Sequence, residues 1–193
     1  ISGKKIRKEN GIDIRTPLIG LLGGILPHKG LHILIKASEI IKEHYPNSHF
    51  IVAGSRPKPQ PKTLKRKIRN LIEKIFNIEN HDVYIEQLLI KHNSIDNFTF
   101  VGNTLKINEI IASLDILVFP STESHFGVPI LEAMSMKIPV VASNLPSNRE
   151  IIIHNETGLL FKSSDAKELA REIIKILGNK ENTKYMTKNA FKY

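Results

Sequence analysis

Short apolar runs alternate with helical patterns through most of this chain, and the first such group sets the class of fold. Residues Leu18–Leu22 are apolar without alternation, which is typical of a strand buried on both faces. A Gly23-Gly24 turn follows, and apolar residues then recur at close to helical spacing until Pro46. A second apolar run, His49–Ala53, completes a βαβ unit, whose strands we expect to be parallel and joined by a right-handed crossover.

The same alternation continues to the end of the chain. It predicts further strands at 98–101, 115–119, 138–142 and 157–161, and helices at 83–92, 105–114, 147–153 and after Asp165, with a last weak helix that runs to Tyr193. Six strands alternating with helices indicate an α/β fold, a Rossmann-like open parallel sheet with helices on both faces. Ligands of such sheets bind at the carboxyl ends of the strands, so the loops after the first and fourth strands are candidate sites.

The loop after the predicted fourth strand carries the strongest functional signal. The strand ends at Pro120, a polar loop follows, and a helix begins near Val128 with Pro129 in its first turn. Such a helix N-terminus is a prepared anion site, because its first N–H groups lack partners within the helix. Glu123 and Glu132 would oppose a bare phosphate, but they would accept hydrogen bonds from hydroxyls on a ligand that also carries phosphate. A nucleotide sugar fits this description, and solvated carboxylates remain the simpler alternative.

The first βα loop, with Gly23, Gly24 and Lys29, carries a weaker signal. The glycines allow close approach of the backbone to a ligand and the lysine supplies a positive charge, so this loop is expected to face a phosphate. A Gly-Gly turn followed by a lysine is also common in proteins without such a ligand. The loop has neither the Walker spacing nor the GxGxxG pattern.

Composition limits the other possibilities. The 193 residues suit one domain, and a hydrophobic content of 41% is enough for a buried core. The chain has no cysteine, which excludes disulfides and thiolate metal sites, and its eight histidines are too scattered for metal-ligand spacing. No apolar run reaches the roughly 18 residues of a membrane span, and we expect a soluble, cytoplasmic protein. Because the first residue is Ile1 rather than methionine, we expect a part of a longer chain.

The formal net charge of +9 admits nucleic acid, an anionic membrane surface or phosphorylated small molecules as partners. A basic, proline-rich insertion is predicted at about 56–80, with a helical pattern after Lys65 to Lys67. This helix would suit peripheral contact with an anionic membrane at its cytoplasmic face or with a partner, and a solvated surface segment is the simpler alternative. No nucleic-acid motif accompanies the charge, so nucleic acid is not expected as a partner.

The run from Phe119 to Met134 resembles the Glu-containing motif of retaining GT-B glycosyltransferases of the glycosyltransferase family 4 type. In that family the second Glu of the motif holds the ribose hydroxyls and the first meets the donor sugar. The resemblance therefore implies that Glu132 binds ribose. Ser124 stands at the usual place of the first Glu, with Glu123 one residue earlier, so the sugar contact is left between these two residues.

The first loop is similar to the same family. Lys29 and Gly30 match the Lys-Gly pair that clamps the donor diphosphate, and Gly24 stands where the family usually has an arginine. Arg56 and His28 are the candidates for a replacement cation. Further pieces, such as Gly54 after the second strand and Gly102 after the third, follow in the family's order, so the resemblance covers nearly the whole chain.

The resemblance implies one half of a GT-B fold, a single nucleotide-sugar-binding domain at 1–193, with a missing N-terminal acceptor domain as its partner. The implied reaction is retaining transfer of a glycosyl group, of the hexosyl type, from a UDP- or GDP-linked sugar to a hydroxyl acceptor, without metal or cofactor. The product would be a polysaccharide, a glycolipid or another glycoconjugate.

Lys29 and Glu123 are the implied catalytic residues. The implied donor-binding residues are Gly23, Gly24, Lys29, Gly54, Gly102, Glu123, Ser124, His125, Phe126, Gly127, Val128 and Glu132. Without the acceptor domain, the chain is expected to be inactive.

Two other functions remain open at this point. Fold alone does not settle function, and nucleotide-sugar epimerases share the GT-B fold. An epimerase would need a base near the sugar. A non-catalytic basic module would use the insertion at about 56–80 to bind anionic lipid or nucleic acid.

Overall fold

The structure is a computed structural model that describes residues 3–54 and 81–193, and it confirms the predicted open parallel sheet. The strands pair in the order β3-β2-β1-β4-β5-β6, and every pairing is parallel. The strands are β1 (Leu18–Leu22), β2 (His49–Ala53), β3 (Phe98–Gly102), β4 (Ile116–Phe119), β5 (Val140–Ser143) and β6 (Leu159–Phe161).

Helices connect these strands. The α-helices of the described residues are α1 (Lys4–Glu9), α2 (Leu31–His44), α3 (His81–Lys91), α4 (Ile107–Ser113), α5 (Val128–Ser135), α6 (Pro146–Arg149), α7 (Ala166–Gly178) and α8 (Lys180–Lys192), with 3₁₀ turns at Pro27–Lys29 and Ile95–Asn97. Their apolar faces cover the sheet on both sides, which gives three layers.

The sheet has a hydrophobic core on each face because side chains of a strand point alternately to opposite sides. In β1, Ile19 and Leu21 pack into one core with α2, α3 and α7, while Leu18 and Leu22 pack into the other with α1, α4 and α5. All five residues of β1 are buried. This double burial explains why β1 is a continuous apolar run in the sequence.

Arg7 ties α1 to the amino edge of the sheet, a contact that sequence patterns did not predict. Its side chain is 5% exposed and forms an ion pair with Asp115, with 2.7 Å between Nη2 and Oδ2. Nε donates to Ser113 O at 3.0 Å, and Nη1 donates to Asp13 O and Thr16 O at 3.1 and 2.7 Å. The same Asp115 oxygen accepts from Leu18 N–H at 2.8 Å, so this network joins the starts of β1 and β4.

Several predicted boundaries shift by a few residues. The helix predicted at 147–153 is the shorter α6, which ends at Arg149. Asn148 of α6 also donates its side-chain amide to Ser143 O at 2.8 Å, which holds the turn against the end of β5. The predicted insertion at about 56–80, including Arg56, lies outside the described residues. Among residues 3–54 and 81–193, the helices are all too short or too polar to span a bilayer.

The strand order reverses between β1 and β4. The chain proceeds from β1 outward to β2 and β3, and then returns to the other side of β1 to form β4, β5 and β6. The connections that follow β1 and β4 therefore leave in opposite directions and open a crevice at the carboxyl edge, which is the place where ligands of this sheet type bind.

Candidate functional site

The loops after β1 and β4 meet at this crevice, as expected from the sequence. Strands β1 and β4 are hydrogen-bonded neighbours, and Thr122 N–H donates to His28 O at 2.9 Å. Gly30 begins α2 with φ of +75°, and a β-carbon there would overlap the carbonyl oxygen of Pro120. A glycine at position 30 is therefore needed both for the backbone conformation and for the close approach of the two loops.

Lys29 projects across the first loop toward the second. Its Nζ donates to Nε2 of His125 at 2.9 Å. The aliphatic stem of Lys29 lies over Gly23, where a β-carbon would come within 3.1 Å of Lys29 Cδ. Gly23 thus leaves room for the lysine stem as well as for a ligand. Partial burial lowers the pKa of Lys29, since desolvation disfavours its charged form.

The N–H groups of the glycine turn are engaged within the sheet. Gly23 and Gly24 both donate to Ala53 O, at 2.8 and 3.0 Å, and Gly54 N–H donates to Gly102 O at 2.9 Å. These bonds hold the ends of β1, β2 and β3 together. Gly54 is in close contact with Gly24, whereas Gly102 ends β3, two strands and roughly 10 Å from β1. Of the predicted donor-binding glycines, Gly102 is therefore remote from the junction.

Ser121 is the residue that holds the second loop in shape, and sequence patterns did not single it out. Its buried hydroxyl lies 3.0 Å from His28 O and 2.7 Å from Glu123 O, so its one proton is donated to either carbonyl. The same oxygen accepts from Glu123 N–H at 3.3 Å. Ser121 therefore links the two loops and fixes the backbone that precedes His125. The Pro-Ser pair at the end of the strand was the available signal.

His125 lies at the centre of the junction. Nδ1 is 2.9 Å from Glu123 O, and Nε2 accepts from Lys29. This pattern assigns a neutral imidazole with its proton on Nδ1. The ring makes a tilted contact with Phe119, with 5.1 Å between centroids, and an edge contact with His28 at 5.8 Å.

Burial is the main cause that lowers the pKa of His125, and electrostatic interaction with Lys29 and His28 lowers it further. The hydrogen bond to the Glu123 carbonyl and the Glu123 charge act in the opposite direction. The net shift is downward from the ordinary value near 6.5. The neutral form that the hydrogen bonds assign is therefore also the form that the surroundings favour near neutral pH.

The N-terminus of α5 follows directly after His125. Gly127 is its N-cap and provides no side-chain cap, and Pro129 lies in the first turn as predicted. Glu132 is half-buried on this helix, while Glu123 and Ser124 are exposed in the loop. Within residues 3–54 and 81–193, neither carboxylate forms a hydrogen bond or an ion pair. Both are thus available as acceptors for a ligand.

Large apolar side chains surround the junction on its solvent side. Phe126 is 70% exposed and Val128 48%, and Leu26 of the first loop is 39% exposed. Together the two loops present an ammonium group, an uncapped helix N-terminus and two unpaired carboxylates beside apolar surface. This set can hold an anion together with a hydroxyl-bearing group.

The sequence pattern of the family described as "Glycosyl transferases group 1" matches residues 2–193. The chain belongs to this family.

Among curated glycosyl transferases, the capsular polysaccharide biosynthesis glycosyltransferase CapM of Staphylococcus aureus is 28% identical over 165 residues. That match covers 84% of this chain and 37% of CapM. An uncharacterized glycosyltransferase of Methanocaldococcus jannaschii is 27% identical over 186 residues, covering 96% of this chain and 42% of that protein. The chain thus spans about two fifths of the length of the curated relatives that it matches.

Solved structures of glycosyl transferases share the fold. HepE of Anabaena, in complex with UDP and glucose, superimposes with a TM-score of 0.80 at 23% identity, covering 98% of this chain and 46% of HepE. The C-terminal domain of a group 1 family protein from Francisella tularensis, LpcC, gives a TM-score of 0.73 at 21% identity and covers 100% of this chain and 95% of that domain. The fold described here therefore also occurs as a separately crystallised domain.

Proposed function

We propose that this chain is the donor-binding domain of a retaining glycosyltransferase of the family 4 type, which binds a UDP- or GDP-linked sugar for transfer to a hydroxyl acceptor. The observation that carries this proposal is the junction at the point where the strand order reverses. There the Lys29 ammonium contacts His125, the N-terminus of α5 follows without a side-chain cap, and Glu132, which has no partner within the described residues, lies on the same helix.

Each part of the junction suits one part of a nucleotide sugar. The Lys29 ammonium and the N–H groups at the start of α5 would bind the diphosphate, since both favour negative charge. Glu132 would accept hydrogen bonds from the ribose hydroxyls. Glu123 or Ser124, exposed in the same loop, would contact the sugar. The named ligands of HepE, UDP and glucose, support a pocket of this kind.

In the proposed reaction, the bond from the anomeric carbon to the diphosphate oxygen breaks and the acceptor oxygen forms the new bond on the same face of the sugar. The proton of the acceptor hydroxyl passes to the departing diphosphate. Negative charge grows on the departing diphosphate, and Lys29 with the N-terminus of α5 would stabilise it as preorganised donors. This scheme uses no metal ion. An N-terminal domain would supply the acceptor side, so we expect the present chain to bind donor without turnover.

The product class is part of the proposal. CapM is named for capsular polysaccharide biosynthesis and shares 28% identity with this chain over 84% of this chain. A polysaccharide, a glycolipid or another glycoconjugate is therefore the proposed product of the longer protein.

Calorimetric titration of the chain with UDP-glucose, GDP-mannose, UDP and GDP tests the proposal. We expect one nucleotide to bind measurably, and we expect Lys29→Ala to weaken that binding by about tenfold or more, because a charged hydrogen bond to phosphate is lost. Lys167→Ala, which removes an exposed lysine of α7, serves as the control and should leave the affinity unchanged. Absence of binding by all four ligands, or equal affinity in Lys29→Ala, would contradict the proposed function.

A further inference from the structure

The hydrogen bond between Lys29 and His125 depends on the protonation state of His125. As long as the imidazole is neutral, Nε2 accepts a hydrogen bond from the Lys29 ammonium at 2.9 Å. A protonated imidazole has no lone pair left on Nε2 and cannot accept this bond. Protonation of His125 would therefore release Lys29 and place a second positive charge beside it.

The surroundings of His125 disfavour such a proton in the free protein. The titratable and charged groups that face the ring are Lys29 and His28 from the first loop, and Glu123 from its own loop. Two of these three oppose a positive ring. Gly24 of the first loop carries no charge. The junction thus has one permanent cation, Lys29, in contact with His125, and the ring of His28 lies beside it.

We propose that His125 takes up a proton when the diphosphate of a nucleotide sugar binds, so that the imidazolium and the released Lys29 ammonium hold the diphosphate together. The inference rests on the proposed function of the junction as a donor site. The proton comes from solvent and binds to Nε2, while Nδ1–H continues to donate to Glu123 O. No covalent bond is made or broken in this step.

The direction of the pH dependence follows from this scheme. The bound diphosphate favours the charged imidazole, so the pKa of His125 is higher in the complex than in the free protein. Binding then takes up protons at pH values between the free and the bound pKa. Affinity is greatest below the free pKa and falls as the pH rises through this window, by at most about tenfold per pH unit for one proton.

Titration calorimetry in two buffers of different ionisation enthalpy, such as MOPS and Tris, measures the proton uptake directly. The probe is UDP-glucose, or GDP-mannose if that binds more tightly, because the diphosphate of a nucleotide sugar has no proton of its own to exchange near neutral pH. We expect wild-type binding to take up a fraction of one proton near neutral pH and none well above the window. In His125→Gln, uptake should disappear and the affinity should no longer depend on pH in this range.

Matched histidine variants separate the possible sites of proton uptake. His44→Gln removes an exposed histidine at the end of α2 and should leave the uptake unchanged. His28→Gln removes the neighbouring ring and should preserve most of the uptake. If uptake is lost in His28→Gln and retained in His125→Gln, the assignment to His125 is overturned.

NMR titration of the wild-type histidine rings gives an independent readout that does not depend on any variant. The pKa of His125 should rise on addition of the nucleotide sugar, which a purely structural role would not produce. Nucleotide-sugar binding without proton uptake and without this rise would overturn the inference alone. Failure of every nucleotide to bind at any pH would overturn the proposed function and this inference together.

Discussion

Charged side chains at the amino edge and at the carboxyl edge of the sheet differ in whether the fold supplies their hydrogen-bond partners. At the amino edge, the buried Arg7 guanidinium donates to three carbonyls and to Asp115, and Asp115 also accepts from the backbone of β1. At the carboxyl edge, Glu123 and Glu132 have no partner within the described residues, and Lys29 is bound to a neutral ring. Groups at the first edge are satisfied by the fold, whereas groups at the second are left to a ligand.

This difference separates stability from binding. A buried charge with a full set of partners holds elements together, and its loss leaves other polar groups unsatisfied. An unpaired charge at a crevice contributes little to stability and retains its capacity for a ligand. A groove of 1220 Å³ does lie at the amino edge, lined in part by Thr16, Asn47 and Asp115. The junction of the two loops lies at the other, carboxyl edge of the sheet, so the size of a groove alone does not identify the candidate site.

The largest expected effect is on stability at the amino edge. Arg7→Ala removes four hydrogen bonds and leaves Asp115 without its cation; because the Asp115 side chain is 46% exposed, water compensates in part. We expect a loss of about 2–3 kcal/mol in the free energy of unfolding, measured by urea denaturation. Arg15→Ala is the control, since its side chain is 89% exposed beside Asp13, and it should change stability too little to measure. If both variants unfold like the wild type, the amino edge is not the anchor that the contacts indicate.

At the carboxyl edge, Glu132→Gln is expected to weaken nucleotide binding by about tenfold, because a neutral amide replaces the charged acceptor of the ribose hydroxyls. Its unfolding free energy should stay near that of the wild type, since Glu132 has no partner to lose within the described residues. Calorimetry with the nucleotide and its 2′-deoxy analogue sharpens this test. The analogue should bind the wild type more weakly, while the variant should distinguish the two ligands much less.

Glu156→Gln provides the control for this variant, because Glu156 is exposed in the loop before β6. It should bind both nucleotides like the wild type. Full discrimination between the nucleotide and its deoxy analogue in Glu132→Gln would contradict the assignment of Glu132 to ribose.

Ser121→Ala is expected to have the smallest effect, and it should change both stability and nucleotide binding. The variant removes the hydroxyl between His28 O and Glu123 O. We expect a loss of about 1 kcal/mol in unfolding free energy and a few-fold loss of nucleotide affinity, because the loop that carries His125 is less fixed. Ser163→Ala, a half-buried serine in the loop between β6 and α7, is the matched control. An effect on stability with unchanged affinity would show that Ser121 supports the fold alone.

Much of the fold could be predicted from local patterns. The apolar run at Leu18–Leu22 and its successors indicated parallel strands, and the sheet has the predicted six. Pro129 correctly marked the start of α5. Helix α1 was not predicted, because its six residues carry no clear apolar period and its place depends on Arg7 and the distant Asp115. The predicted end of α6 was also wrong, because this helix ends at Arg149 rather than at Ile153.

Less of the candidate site could be predicted. Lys29, Glu123, His125 and Glu132 were named from residue type and position, but the bond between Lys29 and His125 joins residues 96 positions apart. The role of Ser121 depends on the backbone of both loops. The glycine turn was expected to face a phosphate, which stays a prediction, and the structure adds that its N–H groups donate to Ala53 O. A local sequence pattern does not predict which backbone N–H groups will donate to a neighbouring strand.

By itself, the sequence determined the alternation of strands and helices and the two loops that carry chemistry, because strand and helix periods and glycine or proline breaks are local properties of the chain. Only the tertiary structure decided which charges are satisfied. Strand order placed β1 beside β4, and burial then fixed the partner of each polar group. That pairing left Arg7 with four hydrogen bonds at one edge and Glu132 unpaired within the described residues at the other.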